Sequence, residues 1–214
     1  LDVTGPDIGK ARSSAKIETD FGGFSGSNTM LRIRQAYVNL DWGKSAVLVG
    51  ITWHPLFGAV MPDVLNLSTG APFQPFNRSP QIRYQYKANS RVQLTASVLW
   101  QLQYLSSGPK GMSEDYIKNS CIPEMFVGAD FTPADGWLMG LGAHMISLKP
   151  RTSTEWKEQT FKVNERMTAF SYEAHLKYSG RNYTFAAKTL MASALDHTAL
   201  LGGYGVSSVD SRTG

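Results

Sequence analysis

The sequence predicts an all-β protein whose antiparallel strands run up and down in chain order and close into a barrel. Three observations predict this fold class. One stretch alternates apolar and polar residues over 14 positions, long and short connections alternate along the chain, and aromatic residues gather near the strand ends. We expect ten strands and no helix, all within one domain that covers residues 1–214.

Residues 91–104 give the clearest strand signal. One face, from Val92 to Tyr104, is entirely apolar or aromatic, while the other carries six polar residues and one leucine. At about 3.3 Å per residue, a strand of this length reaches about 46 Å. A tilted strand needs only about 11 residues to cross the apolar band of an outer membrane. The length therefore predicts a transmembrane strand that projects beyond the bilayer.

The other predicted strands follow the same period of two with less regularity. Residues 46–54, 81–87 and 168–178 alternate apolar and polar side chains. The remaining predicted strands span residues 12–21, 30–41, 124–132, 137–148, 183–192 and 201–209.

The connections between these strands alternate in length. The short ones carry the Gly, Asn, Asp or Pro of tight turns, and they are 42–45, 88–90, 133–136 and 179–182. The long ones are 22–29, 55–80, 105–123 and 149–160. Transmembrane β-barrels have short turns at one end and long loops at the other, so the pattern favours a barrel over a Greek-key sandwich.

Aromatic residues lie near both ends of the predicted strands. Those beside the short turns are Trp42, Tyr86, Trp137, Tyr178 and Tyr183, and those towards the long loops are Trp53, Trp100 and Tyr104. Two belts of rings are expected at the two membrane interfaces. The alternative is that aromatic residues favour strand ends in any β protein.

The chain starts at Leu1 and ends in VDSRTG, without the aromatic residue that usually closes the last strand of a bacterial outer-membrane barrel. We therefore expect further strands and a larger parent barrel. A barrel of about 16 to 18 strands leaves an aqueous channel.

The long connection 55–80 is unusually apolar for a surface loop. It contains the stretch APFQPFNRSP, in which three prolines limit the flexibility of the backbone. We expect this loop to fold into the lumen, to narrow the channel, and to present Asn77 and Arg78 as its polar groups. The alternative is an extracellular loop that grips a neighbouring subunit.

A cluster of arginines is the main candidate site for solute. Arg32 and Arg34 share a strand face, Arg83 lies on the polar face of its own strand, and Arg78 lies on the loop. A charge on the lipid face near the midplane costs about 2–4 kcal/mol, so these side chains are expected to point inward or to lie near an interface. Guanidinium groups in a narrow passage favour anions.

Acidic residues are expected to face these arginines across the lumen and to create a transverse field. The candidates are Glu18, Asp20, Asp63 and Glu173. The alternative is that the charges are scattered and hydrogen-bonded to neighbours without a role in selectivity. Because Ala36, Val38 and Leu40 are in phase with Arg32 and Arg34, the strand 30–41 needs either a mixed inward face or a bulge.

Three sequence elements resemble one known family. RIRQAYVNL (32–40), GITWHP (50–55) and GAPFQPFNRSPQIR (70–83) are similar to the dicarboxylate-type (DcaP-like) trimeric porins and their relatives in Bacteroides-type Gram-negative bacteria. The resemblance covers residues 10–120. It implies a homotrimer of 16-stranded barrels in the outer membrane, in contact with its lipid, and passive uptake of small, often anionic solutes. This chain would then be about half of one subunit.

Other function classes find little support in the sequence. The four histidines are dispersed and form no metal-binding motif, and the sequence contains no phosphate-binding loop. We therefore expect neither an enzyme nor a cofactor. A barrel hydrolase that uses Asp130 with His144 remains an alternative, as does a soluble all-β domain that binds a ligand. The formal charge of +4 comes without basic runs, so no nucleic-acid partner is expected, and the single Cys121 excludes an internal disulfide.

Overall fold

A computed structural model of the protein describes residues 1–25, 28–58, 60–61, 65 and 70–206. Ten strands form one antiparallel sheet in which each strand pairs with the sheet strands before and after it in the chain. These strands are β1 (Asp2–Thr4), β2 (Arg12–Ser25), β3 (Asn28–Asp41), β4 (Ser45–Trp53), β5 (Arg78–Lys87), β6 (Val92–Leu99), β9 (Glu124–Phe131), β10 (Trp137–Leu148), β13 (Met167–Ser179) and β14 (Thr184–Met191).

The connections contain the other elements. Among the described residues there are two small hairpins, β7 (Ser107–Gly108) with β8 (Gly111–Met112) and β11 (Ser153–Trp156) with β12 (Gln159–Lys162). The same residues form one α-helix, α1 (Asp115–Ser120), and two 3-10 helices, at Pro55–Phe57 and Asp196–Thr198. Among the described residues, no helix is both long and apolar enough to span a membrane.

The up-and-down antiparallel order of the sheet confirms the predicted topology. Within the described part of the chain, β1 pairs only with β2 and β14 only with β13, so the ten strands form an open sheet. The sheet is nevertheless strongly curved. Lys188 on β14 donates hydrogen bonds to the carbonyl oxygens of Leu56 and Phe57, just after β4. In a flat sheet, β4 and β14 would lie about 29 Å apart.

The two faces of the curved sheet have opposite polarity. On β6, Leu94 and Val98 are 44% and 40% exposed, whereas Ser97 between them is 5% exposed. Large apolar side chains are exposed in the same way on the other long strands, and this surface is called the convex face. Its members include Ile17, Ile33, Val38, Val49, Ile82, Tyr84, Leu94, Val98, Val127, Phe131, Met139, Leu141, Phe170, Tyr172 and Phe185. The opposite surface, called the concave face, carries mainly polar residues.

A bulge in the β2–β3 pair resolves the conflict in the side-chain phase of β3. The register shifts between Glu18, which pairs with Gln35, and Thr19, which pairs with Ile33. Arg34 therefore lies at the shift, and the outward apolar residues resume beyond it with Val38, which is 49% exposed. The predicted phase shift is confirmed.

The predicted short turns are confirmed, since strands end and restart around each of them. The predicted loop 22–29 is wrong, because β2 continues to Ser25 and β3 starts at Asn28. Cross-strand bonds hold this extension together: Arg32 Nε donates to the Asp20 carboxylate at 3.0 Å. The glycines at 22 and 23 had suggested a turn, but they lie within the paired strand.

The predicted strand 91–104 is too long. β6 ends at Leu99, because the Gln101 side chain turns inward and binds Ser106 and Glu124. The expected strand 201–209 is wrong for residues 201–206, which form no strand. Residues 207–209 lie outside the described residues. β1 takes the tenth place in the sheet instead.

The expectation of no helix is wrong for the long connection before β9. The Ser113 hydroxyl accepts a hydrogen bond from the Asp115 backbone N–H at the start of α1. Tyr116 and Ile117 on this helix are buried against Ile146 and nearby apolar residues. Six residues are too few for a helical period to be recognised in the sequence.

Candidate functional site

The concave face divides into two regions. Towards the short turns it encloses a cavity of about 230 Å³. Its polar lining residues are Arg83, Gln85, Gln93, Thr95, Asp130, Glu173 and His175. Towards the long connections the same face is filled by residues from those connections, so the cavity ends at His54, Pro55 and Gly58.

One wall of the cavity carries a histidine between two carboxylates. His175 Nε2 lies 3.1 Å from Asp130 Oδ1, and its Nδ1 lies 3.2 Å from Glu173 Oε2. Gly140 lies between Asp130 and His175 in the sheet register. A Cβ at this glycine would lie only 2.3 Å from the His175 ring, so the contact requires a residue without a side chain.

The opposite wall of the cavity carries Arg83. Its Nη2 donates to the Trp53 carbonyl oxygen at 2.6 Å, and its Nε donates to Gln81 Oε1 at 3.0 Å. Among the described residues, no carboxylate lies within ion-pair distance of Arg83. The guanidinium group and the Asp130–His175–Glu173 group therefore face the cavity from different strands.

Arg32 and Arg34 form ion pairs with their neighbours in the sheet. Arg32 Nη2 lies 2.7 Å from Asp20 Oδ2, and Arg34 contacts both Asp20 and Glu18 at 2.8 Å. Asp20 and Glu18 were expected on a wall opposite the arginines, and that expectation is wrong, because β2 and β3 pair directly. The fourth acidic candidate, Asp63, lies outside the described residues.

Arg78 is the residue whose position differs most from the sequence prediction. It is 1% exposed, and it lies on the strand parity of the outward Ile82 rather than that of Arg83. Its guanidinium carbon lies 4.8 Å from the centre of the Trp53 ring and 5.3 Å from that of Phe76. Arg78 thus binds aromatic rings and does not line the cavity.

Asn77, the other candidate from the loop, is also buried. Its side-chain amide donates to the backbone carbonyl of His197 at 3.2 Å, and its oxygen accepts from the Ser79 hydroxyl. Asn77 therefore connects the loop to the segment after β14.

The aromatic residues follow the same division. Trp137, Tyr178 and Tyr183 contact one another beside the short turns, with ring centres 4.8 and 5.7 Å apart. At the other end Trp53 stacks on Phe57 at 4.0 Å, within the packed connections. Trp53 is the last residue of β4, and its ring packs against Phe57 and Arg78, while the expected second belt stays a prediction.

Beneath the long connections lies a buried cluster around one carboxylate, called here the Glu124 cluster. The Nε2 atoms of His197, His144 and His54 lie 3.1, 3.2 and 3.5 Å from Glu124 Oε2. The amide of Gln101 donates to the other carboxylate oxygen at 2.8 Å. All five residues are at most 2% exposed.

The two histidines outside the strands respond differently to this environment. Burial lowers the pKa of His54 to about 4, so this imidazole is neutral near neutral pH. Burial also opposes the charged form of His197. The charge and hydrogen bond of Glu124 outweigh this effect, however, and the pKa of His197 is raised.

The Glu124 cluster has the residue types of a metal centre, but its geometry fits hydrogen bonds better. His54, Glu124 and His144 bring ligand atoms within 4.8 Å of one another, and His197 is not part of that set. The centre of the cluster is therefore the Glu124 oxygen. In addition, His54 Nδ1 accepts from the Leu56 N–H, whereas a metal-bound histidine donates its second ring N–H.

Several further contacts hold the covering segments in place. The Phe76 N–H donates to the Thr198 carbonyl oxygen at 2.6 Å, which joins the two connections through their backbones. Leu56 packs with Leu99, Phe126 and Leu195 in a buried apolar cluster. Leu56 and Phe76, near the two ends of the predicted inward loop, thus contact residues of the concave face and of the segment after β14.

The Glu124 cluster was not predicted, because its members are far apart in the chain. His197 and Glu124 are separated by 73 positions. A signal was available in His54, which directly follows a strand, and in Glu124, which starts one; both lie at the end of the sheet that carries the long connections.

No protein-family model matches the chain, and a search of curated proteins also finds no match. The resemblance to the dicarboxylate-type porins stays a prediction. Function is therefore inferred from the two faces of the sheet and from the cavity.

Proposed function

We propose that the protein is part of an outer-membrane β-barrel channel through which small hydrophilic solutes, mainly anions, diffuse passively. In this proposal the convex face meets lipid, the concave face meets water, and the open sheet is completed to a barrel. A homotrimer in the outer membrane of a Gram-negative bacterium, as the family resemblance implies, belongs to the same proposal.

The observation that carries this proposal is the opposite polarity of the two faces. A soluble protein rarely exposes a contiguous apolar surface across many strands. Here Val49, Leu94 and Phe170 are 49%, 44% and 53% exposed on three separate strands. Hydrocarbon is the environment in which outward apolar and inward polar residues are both stable.

Arg83 is the arginine that can contribute a preference for anions in the cavity, whose lining also carries Asp130 and Glu173. Arg32 and Arg34 are neutralised by Asp20 and Glu18, and Arg78 is enclosed by aromatic rings. Arg83 faces the cavity without a carboxylate partner among the described residues. We therefore expect weak selectivity rather than a strict filter.

The hydrolase alternative gains no support from the described residues. Asp130 pairs with His175 and His144 pairs with Glu124, so the Asp130–His144 pair that this alternative requires is not formed. A soluble binding domain would need another layer over the convex face, and it would stay in solution without detergent. The need for detergent therefore separates that alternative from a channel.

Planar-bilayer recording tests the proposal. The purified protein should give stepwise conductance and a reversal potential in a KCl gradient that indicates weak anion preference. Arg83→Gln should reduce this preference, whereas Arg181→Gln, in an exposed short turn, serves as the matched control. A soluble protein that produces no conductance steps would contradict the proposal, and an unchanged reversal potential would remove Arg83 from it.

A further inference from the structure

We infer that the Glu124 cluster is an acid-sensitive latch, which holds residues 54–58 and 195–198 against the concave face at neutral pH and releases them in acid. The consequence for solute passage rests on the proposed channel function. The release itself depends only on the contacts within the fold.

The first support is the number of chain segments that meet at one carboxylate. His54 follows β4, Gln101 follows β6, His144 lies on β10, and His197 lies in the 3-10 helix after β14. Glu124 itself begins β9 and contacts all four side chains. A change of charge at this point therefore acts on both covering segments at once.

The second support is the balance of charge inside the latch. The titratable groups that face Glu124 are His54, His144 and His197, and Asp196 adds a further negative charge near His197. One protonated imidazole is balanced by the Glu124 carboxylate. A second proton, on His54, leaves an excess positive charge among completely buried groups, where water cannot screen the repulsion.

The third support is the chemistry of the other attachments, which also include the apolar packing of Leu56 and Leu195 and the backbone hydrogen bond from Phe76 to Thr198. Residues 54–58 are also held by neutral backbone acceptors for Lys188, at Leu56 and Phe57. The segment 195–198 is also held by the amide of Asn77. These contacts do not oppose the added charge. Because His54, Pro55 and Gly58 line the end of the cavity, their release would open it towards the long connections.

Hydrogen exchange measured by mass spectrometry tests the latch in the full chain in detergent micelles. The amides of Phe57 and Thr198 donate backbone hydrogen bonds within the held segments. After correction for intrinsic rates, these amides should exchange about tenfold faster at about pH 4 than at about pH 7. The turn amides of Trp137 and Ser179 serve as the internal reference and should not respond.

Two substitutions identify the groups responsible. His54→Gln keeps a hydrogen-bond donor but cannot be protonated, so the acid response of both segments should be lost. His175→Gln makes the same change at a histidine outside the Glu124 cluster, and the response should remain. Protection that does not depend on pH in the wild type, or an unchanged acid response in His54→Gln, overturns the inference.

Glu124→Gln keeps the inference testable if His54→Gln does not fold. This variant should show faster exchange already at neutral pH and no further acid response, and a normal acid response would overturn the latch. Conductance is measured in parallel. Exchange that depends on pH in a protein that gives no conductance supports the latch and contradicts the proposed channel. Conductance that does not change with pH, although the segments are released, contradicts an effect of the latch on solute passage.

Discussion

Two histidine–carboxylate groups on the same concave face have opposite compositions. The Glu124 cluster surrounds one carboxylate with three imidazoles and is completely buried under the long connections. The group at His175 places one imidazole between Glu173 and Asp130, beside an open cavity. Asp130 keeps 27% of its side chain exposed, so water can still stabilise its charge.

The comparison shows that the covering connections, and not the strands, determine what such a group can do. Glu124 and Asp130 lie on the same strand, β9, and His144 and His175 lie on the next two strands of the sheet, all with side chains on the concave face. Under the long connections, each added charge has to be balanced by a neighbour, so the group can control structure. Beside the cavity, water can share this task at Asp130.

The strongest way to break the comparison is to remove each carboxylate in turn. Glu124→Ala should lower the free energy of unfolding by about 3–5 kcal/mol, because several buried imidazoles lose their common acceptor. Glu173→Ala should cost only about 1–2 kcal/mol, because His175 keeps Asp130. Denaturant unfolding in micelles measures both values, and equal losses would show that burial does not distinguish the two groups.

The dependence of stability on pH should show the next largest effect. The pKa of His54 is lowered to about 4 in the folded protein, against 6.5 as its ordinary value. The unfolded chain therefore binds more protons in this window, and stability should fall by up to about 3 kcal/mol as the pH decreases from about 6.5 to about 4.

The raised pKa of His197 has the opposite sign. Its contribution is complete below the ordinary pKa, and it is lost as the pH rises through the raised value. Thermal melting across pH should therefore show a maximum near pH 6.5. In His54→Gln the acid side of this maximum should flatten, and a wild-type slope there would assign the acid effect to another group.

A smaller effect is expected from Gly140→Ala, which tests only the group formed by His175, Asp130 and Glu173. The new methyl group would meet the His175 ring at 2.3 Å and should separate it from Asp130. We expect a loss of about 1–3 kcal/mol of stability. Gly203→Ala is the matched control, since a Cβ there meets nothing within 4 Å, and its melting temperature should stay unchanged.

The smallest expected effect is that of a metal ion on the Glu124 cluster. Because Leu56 donates to His54 Nδ1, zinc should not shift the melting temperature, and a chelator should not lower it. A rise in the melting temperature with zinc that disappears in Glu124→Gln would show that His54, Glu124 and His144 bind a metal after all.

The strands and short turns could be predicted from the sequence because their signals are local. Alternation over neighbouring residues marks β4, β5 and β13, and the turn residues mark where they begin or end. The ion pairs between β2 and β3 were also within reach, because Asp20 and Arg32 lie at directly paired positions of two consecutive strands.

The covered end of the sheet could not be predicted in this way. Its contacts join residues that no local pattern connects, such as Asn77 with the carbonyl oxygen of His197, which are 120 positions apart. Arg78 shows a second limit. The sequence indicates a charged residue just before a polar strand. Only the strand register shows that Arg78 and Arg83 occupy alternate positions of β5, on its opposite faces.

The bond from Lys188 to the turn after β4 has a consequence for the order of assembly. Its two acceptors, Leu56 and Phe57, lie 132 and 131 positions earlier in the chain. The first half of the sheet can pair hairpin by hairpin, but the bonds from Lys188 to this turn form only once the last strand has been added. This contact is therefore a late step in folding, which follows the pairing of the sheet.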